Sequence, residues 1–312
     1  MLDIQRVLDE AVEQSRPLLK QGKVATYIPE LSKGNPEHLG ACIATTTGYI
    51  YGSGDWKEEF TVQSISKTMI LILALQNLGY EKVFNTVGVE PTGDAFNSLV
   101  KLETKNKKPL NPMINAGAIA VVSLCVEAGI QFDEFLDFVR LICKRDSISL
   151  NEAVYLSEKH AGDRNRSMAY LMHGDGIVVP DVDDVLDFYF KMCSISINAE
   201  DLANFGLLLA NGGVDIHSGD KVISSRYVRV VKTLMITCGL YDGSGEYAIR
   251  VGMPGKSGVG GGIMSTVERQ MGIGAFGPAL DPKGNSIGAY YIMEYLSQKL
   301  SLNYFRGPSV IL

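Results

Sequence analysis

The segment 63–79 reads QSISKTMILILALQNLG and joins two serines and a lysine to a strongly apolar stretch. The run from Met69 to Leu75 is the longest strongly apolar stretch of the chain, yet it is far shorter than the roughly 20 residues that a membrane-spanning helix needs. The segment therefore predicts a buried helix of a globular core over 64–79, with Gly79 as the residue that ends it.

Strand-forming segments lie on both sides of this helix in the sequence. Residues 38–54, HLGACIATTTGYIYGSG, are rich in β-branched and aromatic residues and predict two strands joined at Thr47-Gly48. After about residue 222, short segments are separated by Gly or Pro, which predicts antiparallel strands at 247–251, 262–267, 271–276 and 287–291. A last helix is expected over 291–300.

The region between these strands is mainly helical in pattern. Helices are predicted at 112–128, 132–145, 149–159, after Pro180 and at 199–211, and the polar segment 101–111 is expected to be a solvated loop. We therefore expect an α/β (α+β) fold, with a central antiparallel sheet flanked by helices. One subdomain would combine residues 1–60 and 205–312, a helical subdomain would hold residues 61–204, and the ligand site would lie in the cleft between them.

Composition narrows the classes of partner. The chain has 312 residues and a net charge of −6, and its 35 acidic residues outnumber 29 basic ones, so we expect no nucleic-acid partner. Five cysteines without a Cys-x-x-Cys pair are expected to be reduced core residues, with a disulfide framework or a metal site as the alternative. The amphipathic N-terminal segment lacks a signal-peptide pattern, so we expect a cytoplasmic protein with no membrane partner.

The spacing Ser-x-x-Lys is the first candidate for chemistry. It occurs three times, at Ser64-Lys67, Ser98-Lys101 and Ser218-Lys221, so the pattern alone is weak. Only Ser64 opens an apolar helix, on which residues three apart share one face. Burial or a neighbouring cation lowers the pKa of a lysine, and the neutral amine can then activate a serine hydroxyl as a nucleophile. A serine-rich helix cap beside a solvated lysine is the alternative.

The second candidate is Lys256-Ser257-Gly258, the only Lys-[Ser/Thr]-Gly in the chain, which lies among the predicted C-terminal strands. Ser-x-x-Lys at a helix start, together with Lys-[Ser/Thr]-Gly on a later strand, is typical of serine β-lactamases and penicillin-binding proteins. Lys256 would supply a cation near Lys67, and Gly258 would let the strand backbone approach a substrate closely. Together the two motifs favour an acyl-transfer enzyme.

The sequence resembles the serine-dependent glutaminases, a family with the β-lactamase/transpeptidase-like fold. The resemblance covers most of the chain and is carried by seven ordered blocks: TYIPEL (26–31), QSISK (63–67), NPMINAGAI (111–119), SEKHAGDRN (157–165), DFYFKMCSI (187–195), CGLYDGSGEYA (238–248) and GMPGKSGVGGGI (252–263). It implies hydrolysis of the side-chain amide of L-glutamine to L-glutamate and ammonia. It also implies a homodimer or homotetramer, and a reaction that requires no metal or organic cofactor.

The resemblance further implies a role for each of nine residues. Ser64 would be the nucleophile and Lys67 its base, and the backbone N–H groups of Ser64 and Val259 would form an oxyanion hole. The substrate would be surrounded by Tyr27, Asn115, Glu158, Asn165, Tyr189 and Tyr241. Either Tyr27 or Tyr241 would join Lys67 in passing a proton to the leaving ammonia. From residue type alone, the favoured interpretation of the asparagines is a turn or cap position, and that of the tyrosines is a core position.

The chemistry of glutamine fits this set of side chains. A buried α-ammonium needs a carboxylate, which Glu158 can supply, and an α-carboxylate needs donors, which asparagine and tyrosine side chains offer. Two alternatives stay open. One is a β-lactam-binding or peptidoglycan-acting relative on the same fold, which a labelled penicillin would reveal; the other is a catalytically silent amino-acid-binding protein, which would release no ammonia from glutamine.

Overall fold

The computed structural model describes residues 3–92 and 108–306 and contains a five-stranded antiparallel sheet. Its strand order is β2-β1-β7-β6-β5, with bounds Gly40–Thr45 (β1), Ile50–Gly54 (β2), Gly255–Ser257 (β5), Gly262–Val267 (β6) and Met271–Phe276 (β7). Two short strands, β3 (Phe60–Thr61) and β4 (Ser196–Ile197), form a separate pair. One sheet therefore combines segments from near both ends of the chain, and the predicted strand pair within 38–54 is confirmed.

Eleven α-helices lie in the described part of the chain. Their bounds are Ile4–Ser15 (α1), Ser66–Thr86 (α2), Asn115–Glu127 (α3), Phe132–Cys143 (α4), Glu152–Ala161 (α5), Asp163–Gly174 (α6), Val182–Cys193 (α7), Ala199–Ala210 (α8), Ser225–Cys238 (α9), Ser244–Arg250 (α10) and Ile287–Leu300 (α11). The largest hydrophobic cluster surrounds α2, whose residues from Ser66 to Leu75 are all buried. This cluster fixes the N-terminal end of α2 firmly in the protein interior.

The sheet is covered on both faces because its strands alternate in what they contact. In β1, Ala41 and Ile43 join the cluster formed with α1 and α11, whereas Cys42 and Ala44 face α8. The α8 backbone packs very close to β7, since a Cβ on Gly272 would lie 2.0 Å from the Leu207 backbone nitrogen. Only glycine permits that approach.

Two predicted strands are wrong. The segment 247–251 lies largely in α10, and 287–291 is the first part of α11, which begins where the Ser286 hydroxyl accepts a 3.2 Å hydrogen bond from the Ala289 N–H. Short apolar runs do not distinguish a strand from a buried helix by periodicity, and here packing against the sheet decided for helix. Two helices, α6 and α9, were not predicted.

Gly79 bends the second helix without ending it. Its φ of 81° and ψ of 167° interrupt the helical geometry, but the chain resumes a helix to Thr86.

All five cysteines are free and buried, as expected for core residues. Of the predicted loop 101–111, residues 101–107 lie outside the described residues, and the division into two subdomains stays a prediction.

Within residues 3–92 and 108–306, no single helix is long and apolar enough to cross a membrane; α3 and α4 reach that composition only together, across a bend of 113°.

Candidate active site

Ser64 and Lys67 come together at the start of α2. A short 3₁₀ turn over Gln63–Ile65 precedes the helix, and Gln63 has a φ of 47°, a left-handed conformation that turns the chain sharply. Lys67 Nζ lies 2.6 Å from Ser64 Oγ, and both side chains are buried. By contrast, Ser218 lies in an exposed turn, and the Ser98-Lys101 pair lies outside the described residues.

Lys67 has the environment of a base. Its side chain is only 1% exposed, and burial lowers the pKa of its amine, with Cys193 and Glu158 opposing the shift. Its Nζ also lies 5.8 Å from the centroid of the Tyr189 ring. A lowered pKa raises the fraction of the neutral amine, the form that can accept a proton from the Ser64 hydroxyl.

The segment 258–260, which follows β5, packs against the backbone of the turn that carries Ser64. A Cβ on Gly258 would lie 2.8 Å from the Val62 carbonyl oxygen and 3.3 Å from the Ser64 backbone nitrogen. A Cβ on Gly260 would lie 2.3 Å from the Thr61 carbonyl oxygen. These two glycines are therefore needed for the close approach of the segment to the Ser64 turn, and the approach brings Val259 to the same side of the site.

Tyr241 lies beside Ser64. Burial raises the pKa of its phenol, while hydrogen bonds with the Ser64 and Ser257 side chains and the Val259 backbone partly oppose the rise. Its φ of 55° is left-handed, and Ser244 secures that turn, because Ser244 Oγ donates to the Tyr241 carbonyl oxygen at 2.9 Å. The phenol therefore contacts both the Ser64 hydroxyl and the glycine-flanked segment.

Glu158, on α5, places a buried carboxylate near Lys67. It is 6% exposed, and burial raises its pKa to about 7, while a hydrogen bond from the Gln63 side chain and the charge of Lys67 oppose the rise. The carboxylate thus lies close enough to Lys67 to influence it. Ionisation of Glu158 would be favoured further by a cationic ligand.

Two asparagines meet across α3 and α6. The Asn115 side-chain amide donates to Asn165 Oδ1 at 3.0 Å. Among the described residues, Asn115 Oδ1 is buried and finds no hydrogen-bond partner. Buried polar atoms are almost always paired in folded proteins, so this acceptor is suited to a donor on a ligand.

Two tyrosines differ in depth. Tyr189 is buried, and burial, together with the charges of Cys193 and Glu158, raises its pKa. Tyr27 is 56% exposed as a residue and lies at the outer edge of the site. Its hydroxyl is surrounded by protein, so burial and the charge of Glu158 raise the pKa of the phenol. Surface cavities of about 330 and 490 Å³ flank the rim, and Val259 lines both.

All nine predicted residues are thus described, and eight of them are buried or half-buried. Four neighbours are not among the nine residues to which the resemblance assigns a role: Gln63, Cys193, Lys256 and Ser257. The motifs contained signals for all four, because Gln63 adjoins Ser64, Cys193 follows Tyr189 by one helical turn, and the other two belong to Lys256-Ser257-Gly258. In the described ranges, no group of three His, Cys, Asp or Glu residues could hold a metal ion.

The family described as "Glutaminase" matches residues 22–305. Glutaminase 2 of Clostridium perfringens is 52% identical over 302 residues, which cover 96% of this chain and 99% of that protein. A glutaminase of Clostridioides difficile is 51% identical over 304 residues, covering 96% and 98% respectively.

Solved structures that resemble this chain are also described as probable glutaminases. A probable glutaminase, ybaS, superposes with a TM-score of 0.91 at 36% identity and covers 98% of this chain and 100% of that one. A probable glutaminase from Bacillus subtilis, complexed with 6-diazo-5-oxo-L-norleucine, superposes with a TM-score of 0.89 at 35% identity, covering 98% and 97%. The expected β-lactamase-like fold is therefore confirmed, and the chain belongs to the glutaminase family.

Proposed function

We propose that the protein hydrolyses L-glutamine to L-glutamate and ammonia, with Ser64 as nucleophile and Lys67 as general base. The observation that carries the proposal is the 2.6 Å contact between the Ser64 hydroxyl and a buried lysine amine whose pKa is lowered. Sequence identity of about half to glutaminases over nearly the whole chain supports the same reaction.

The reaction has two halves. Neutral Lys67 takes the Ser64 proton, Ser64 Oγ attacks the side-chain amide carbon, and the backbone N–H groups of Ser64 and Val259 stabilise the oxyanion. The carbon–nitrogen bond then breaks, and the nitrogen leaves as ammonia with a proton returned from Lys67 through Tyr241. In the second half Lys67 takes a proton from water, and the water oxygen attacks the glutamyl ester. The ester bond to Ser64 then breaks, and Lys67 returns its proton to Ser64 Oγ, which restores the hydroxyl and the neutral amine.

Recognition depends on the α-groups of the substrate. Glu158 and Asn115 Oδ1, which has no partner among the described residues, accept hydrogen bonds from the α-ammonium. The second N–H of the Asn115 amide, the Asn165 amide and the Tyr189 hydroxyl donate to the α-carboxylate. With both α-groups held, the distance from Cα to the amide decides whether the amide reaches Ser64. Asparagine is one methylene shorter, so its amide would fall short of the nucleophile.

The test is ammonia release by the purified protein, with glutamine as substrate and asparagine as control. The Ser64→Ala variant should lose at least about 10³-fold in kcat. The matched control is Ser218→Ala, which alters another Ser-x-x-Lys motif in an exposed turn and should keep parental kcat. Turnover by Ser64→Ala within about tenfold of the parent would refute the assignment.

A covalent probe tests the nucleophile directly. The Bacillus subtilis relative was solved with 6-diazo-5-oxo-L-norleucine, a glutamine analogue. We expect the same compound to modify the peptide that contains Ser64 in the parent and in Ser218→Ala, but not in Ser64→Ala. Modification of Ser64 by a labelled penicillin would instead favour a β-lactam-acting relative.

We also propose that the protein forms homodimers or homotetramers and acts in the cytoplasm. The family resemblance supports the first statement, and five buried free cysteines fit a reducing compartment. Light scattering coupled to size-exclusion chromatography would test the mass in solution, and cell fractionation would test the location.

A further inference from the structure

Lys256 is a second buried amine in the site, and the mechanism above does not use it. The residue is 0% exposed. Its Nζ donates a 2.6 Å hydrogen bond to the Ser257 carbonyl oxygen and lies 4.8 Å from the centroid of the Tyr241 ring. No carboxylate of the described residues forms an ion pair with it. A buried lysine without an acidic partner is unfavourable for folding, which indicates that the amine serves another purpose.

The groups that face Lys256 come from three elements. Lys67 lies on α2, Cys238 ends α9, and Tyr241 begins the 3₁₀ turn Tyr241–Gly243. Burial lowers the pKa of Lys256, the charge of Lys67 lowers it further, and Cys238 opposes the shift. Since electrostatic coupling between two groups is mutual, a proton on Lys256 also disfavours a proton on Lys67. The two amines therefore cannot easily carry a charge at the same time.

Lys256 contacts two groups that adjoin the reacting atoms, the Ser257 carbonyl and the Tyr241 ring. The Ser257 carbonyl belongs to the peptide that enters Gly258, so its hydrogen bond orients the backbone just before Val259. The Tyr241 ring below Nζ carries the phenol that contacts Ser64. Aromatic faces attract ammonium groups, so the contact also favours one position of the ring.

We propose that Lys256 is a positioning residue, whose amine holds the Tyr241 ring and the Ser257–Val259 backbone in the arrangement that Ser64 needs for acyl transfer. The inference rests on the proposed function. Glu158, Asn115 and Asn165, which receive the α-groups of the substrate, lie on α5, α3 and α6. Among the described residues, the hydrogen bond and ring contact of Lys256 are instead with Ser257 and Tyr241. Loss of the amine therefore weakens the chemical step more than it weakens substrate binding.

The experiment compares Lys256→Met and Lys256→Arg with the parent. Methionine keeps the length of the side chain but removes the donor and the charge. We expect Lys256→Met to lower kcat for glutamine at least about tenfold, with KM within about twofold of the parent. Its Tm should equal or exceed the parental Tm, because an unpaired buried amine is gone. Arginine restores a donor and a cation, and its kcat should exceed that of the methionine variant at least about threefold.

The control is Lys299→Met. Lys299 is exposed and its Nζ lies 5.3 Å from the Tyr295 ring centroid, so the change removes a comparable cation–aromatic contact far from Ser64. It should keep parental kcat and KM.

Three results would overturn the inference: a folded Lys256→Met variant with kcat within about twofold of the parent, equal kcat in the two Lys256 variants, or failure of Lys256→Met to fold, which would give the amine a structural role. A parent that releases no ammonia from glutamine would refute the proposed function instead.

Discussion

Two pairs of lysines in this protein have opposite environments. Lys67 and Lys256 are buried beside Ser64 without an acidic ion-pair partner among the described residues, and burial lowers the pKa of both. Lys159 and Lys191 lie near the surface, and each forms an ion pair with Asp187, at 2.6 and 2.7 Å. Hydrogen bonds with Asp187 raise the pKa of both surface lysines. The residue type is the same, and the environment decides its charge.

Two residues of α7, only two positions apart, belong to the two different lysine environments. Asp187 points to the surface pair, whereas Tyr189 is buried and lies 5.8 Å from Lys67 Nζ, measured to the ring centroid. The comparison teaches that an aromatic neighbour does not by itself determine what a lysine does, because Lys159 also contacts a ring, that of Tyr155. What separates a surface lysine from a potential base is a direct ion pair with a carboxylate, because Asp187 contacts Lys159, whereas Glu158 acts on Lys67 only through its charge.

The largest effect is expected from Lys67→Met compared with Lys159→Met. Removal of a general base lowers kcat by about 10²–10⁴-fold, so Lys67→Met should lose at least that much ammonia release. Lys159→Met should keep kcat and KM within about twofold of the parent. Steady-state kinetics on both variants, with Tm as a check of folding, measures the difference. Equal kcat in the two variants would remove Lys67 from the chemistry.

The next largest effect concerns the two carboxylates, Glu158 and Asp187. Glu158→Gln removes the charge proposed for the α-ammonium and should raise KM for glutamine at least about 30-fold, since loss of one partner of a buried charge pair costs about 2–5 kcal/mol. Asp187→Asn, at the surface pair, should leave KM unchanged. An unchanged KM in Glu158→Gln would place Glu158 outside the substrate site.

The sequence predicted the elements with strong local signals. The apolar run after Lys67 and the β-branched segment 38–54 have lengths and periodicities that admit one interpretation each. The segments 247–251 and 287–291 do not, and only their packing against the sheet made them helical. The bend at Gly79 was equally ambiguous, because a glycine in a left-handed conformation can end a helix or kink it.

The site was predictable in parts. The spacing of Ser64 and Lys67 predicted their contact, because residues three apart share a helix face. The roles of Glu158, Asn115 and Asn165 came only from the family resemblance, since nothing in the local pattern brings α3, α5 and α6 together. The position of Lys256 over the Tyr241 ring needed the three-dimensional structure, because the contact joins a strand to the turn after α9.

The pH dependence of KM sharpens the comparison between the carboxylates. The pKa of Glu158 is raised to about 7, so its protonated fraction grows as the pH falls below 7. An ammonium ligand needs the ionised form, and KM should therefore rise about tenfold between pH 8 and pH 6. In Glu158→Gln this rise should disappear. The same rise in the variant would assign it to another group.

The raised pKa of Glu158 also has a consequence for stability. An acid with a raised pKa in the folded state stabilises the fold below its unfolded value of 4.5 and loses that contribution as the pH rises through about 7. Glu158→Gln should therefore raise Tm relative to the parent at pH 8 and have less effect at pH 5. Thermal unfolding at both values measures it, and a lower Tm of the variant at pH 8 would contradict it.

The smallest effect is expected at Asp187, and its sign is opposite. Burial raises the pKa of this carboxyl, but hydrogen bonds from Lys159, Lys191 and the Tyr155 hydroxyl prevail and lower it to about 2. Its contribution is present above the unfolded value of 3.8 and is lost as the pH falls through about 2. Because solvent screens the pair, Asp187→Asn should lower the free energy of unfolding by only about 1 kcal/mol at pH 6, and by less at pH 3. Urea unfolding at both values tests this, and a loss of stability that grows towards pH 3 would show that the ion pairs are not its source.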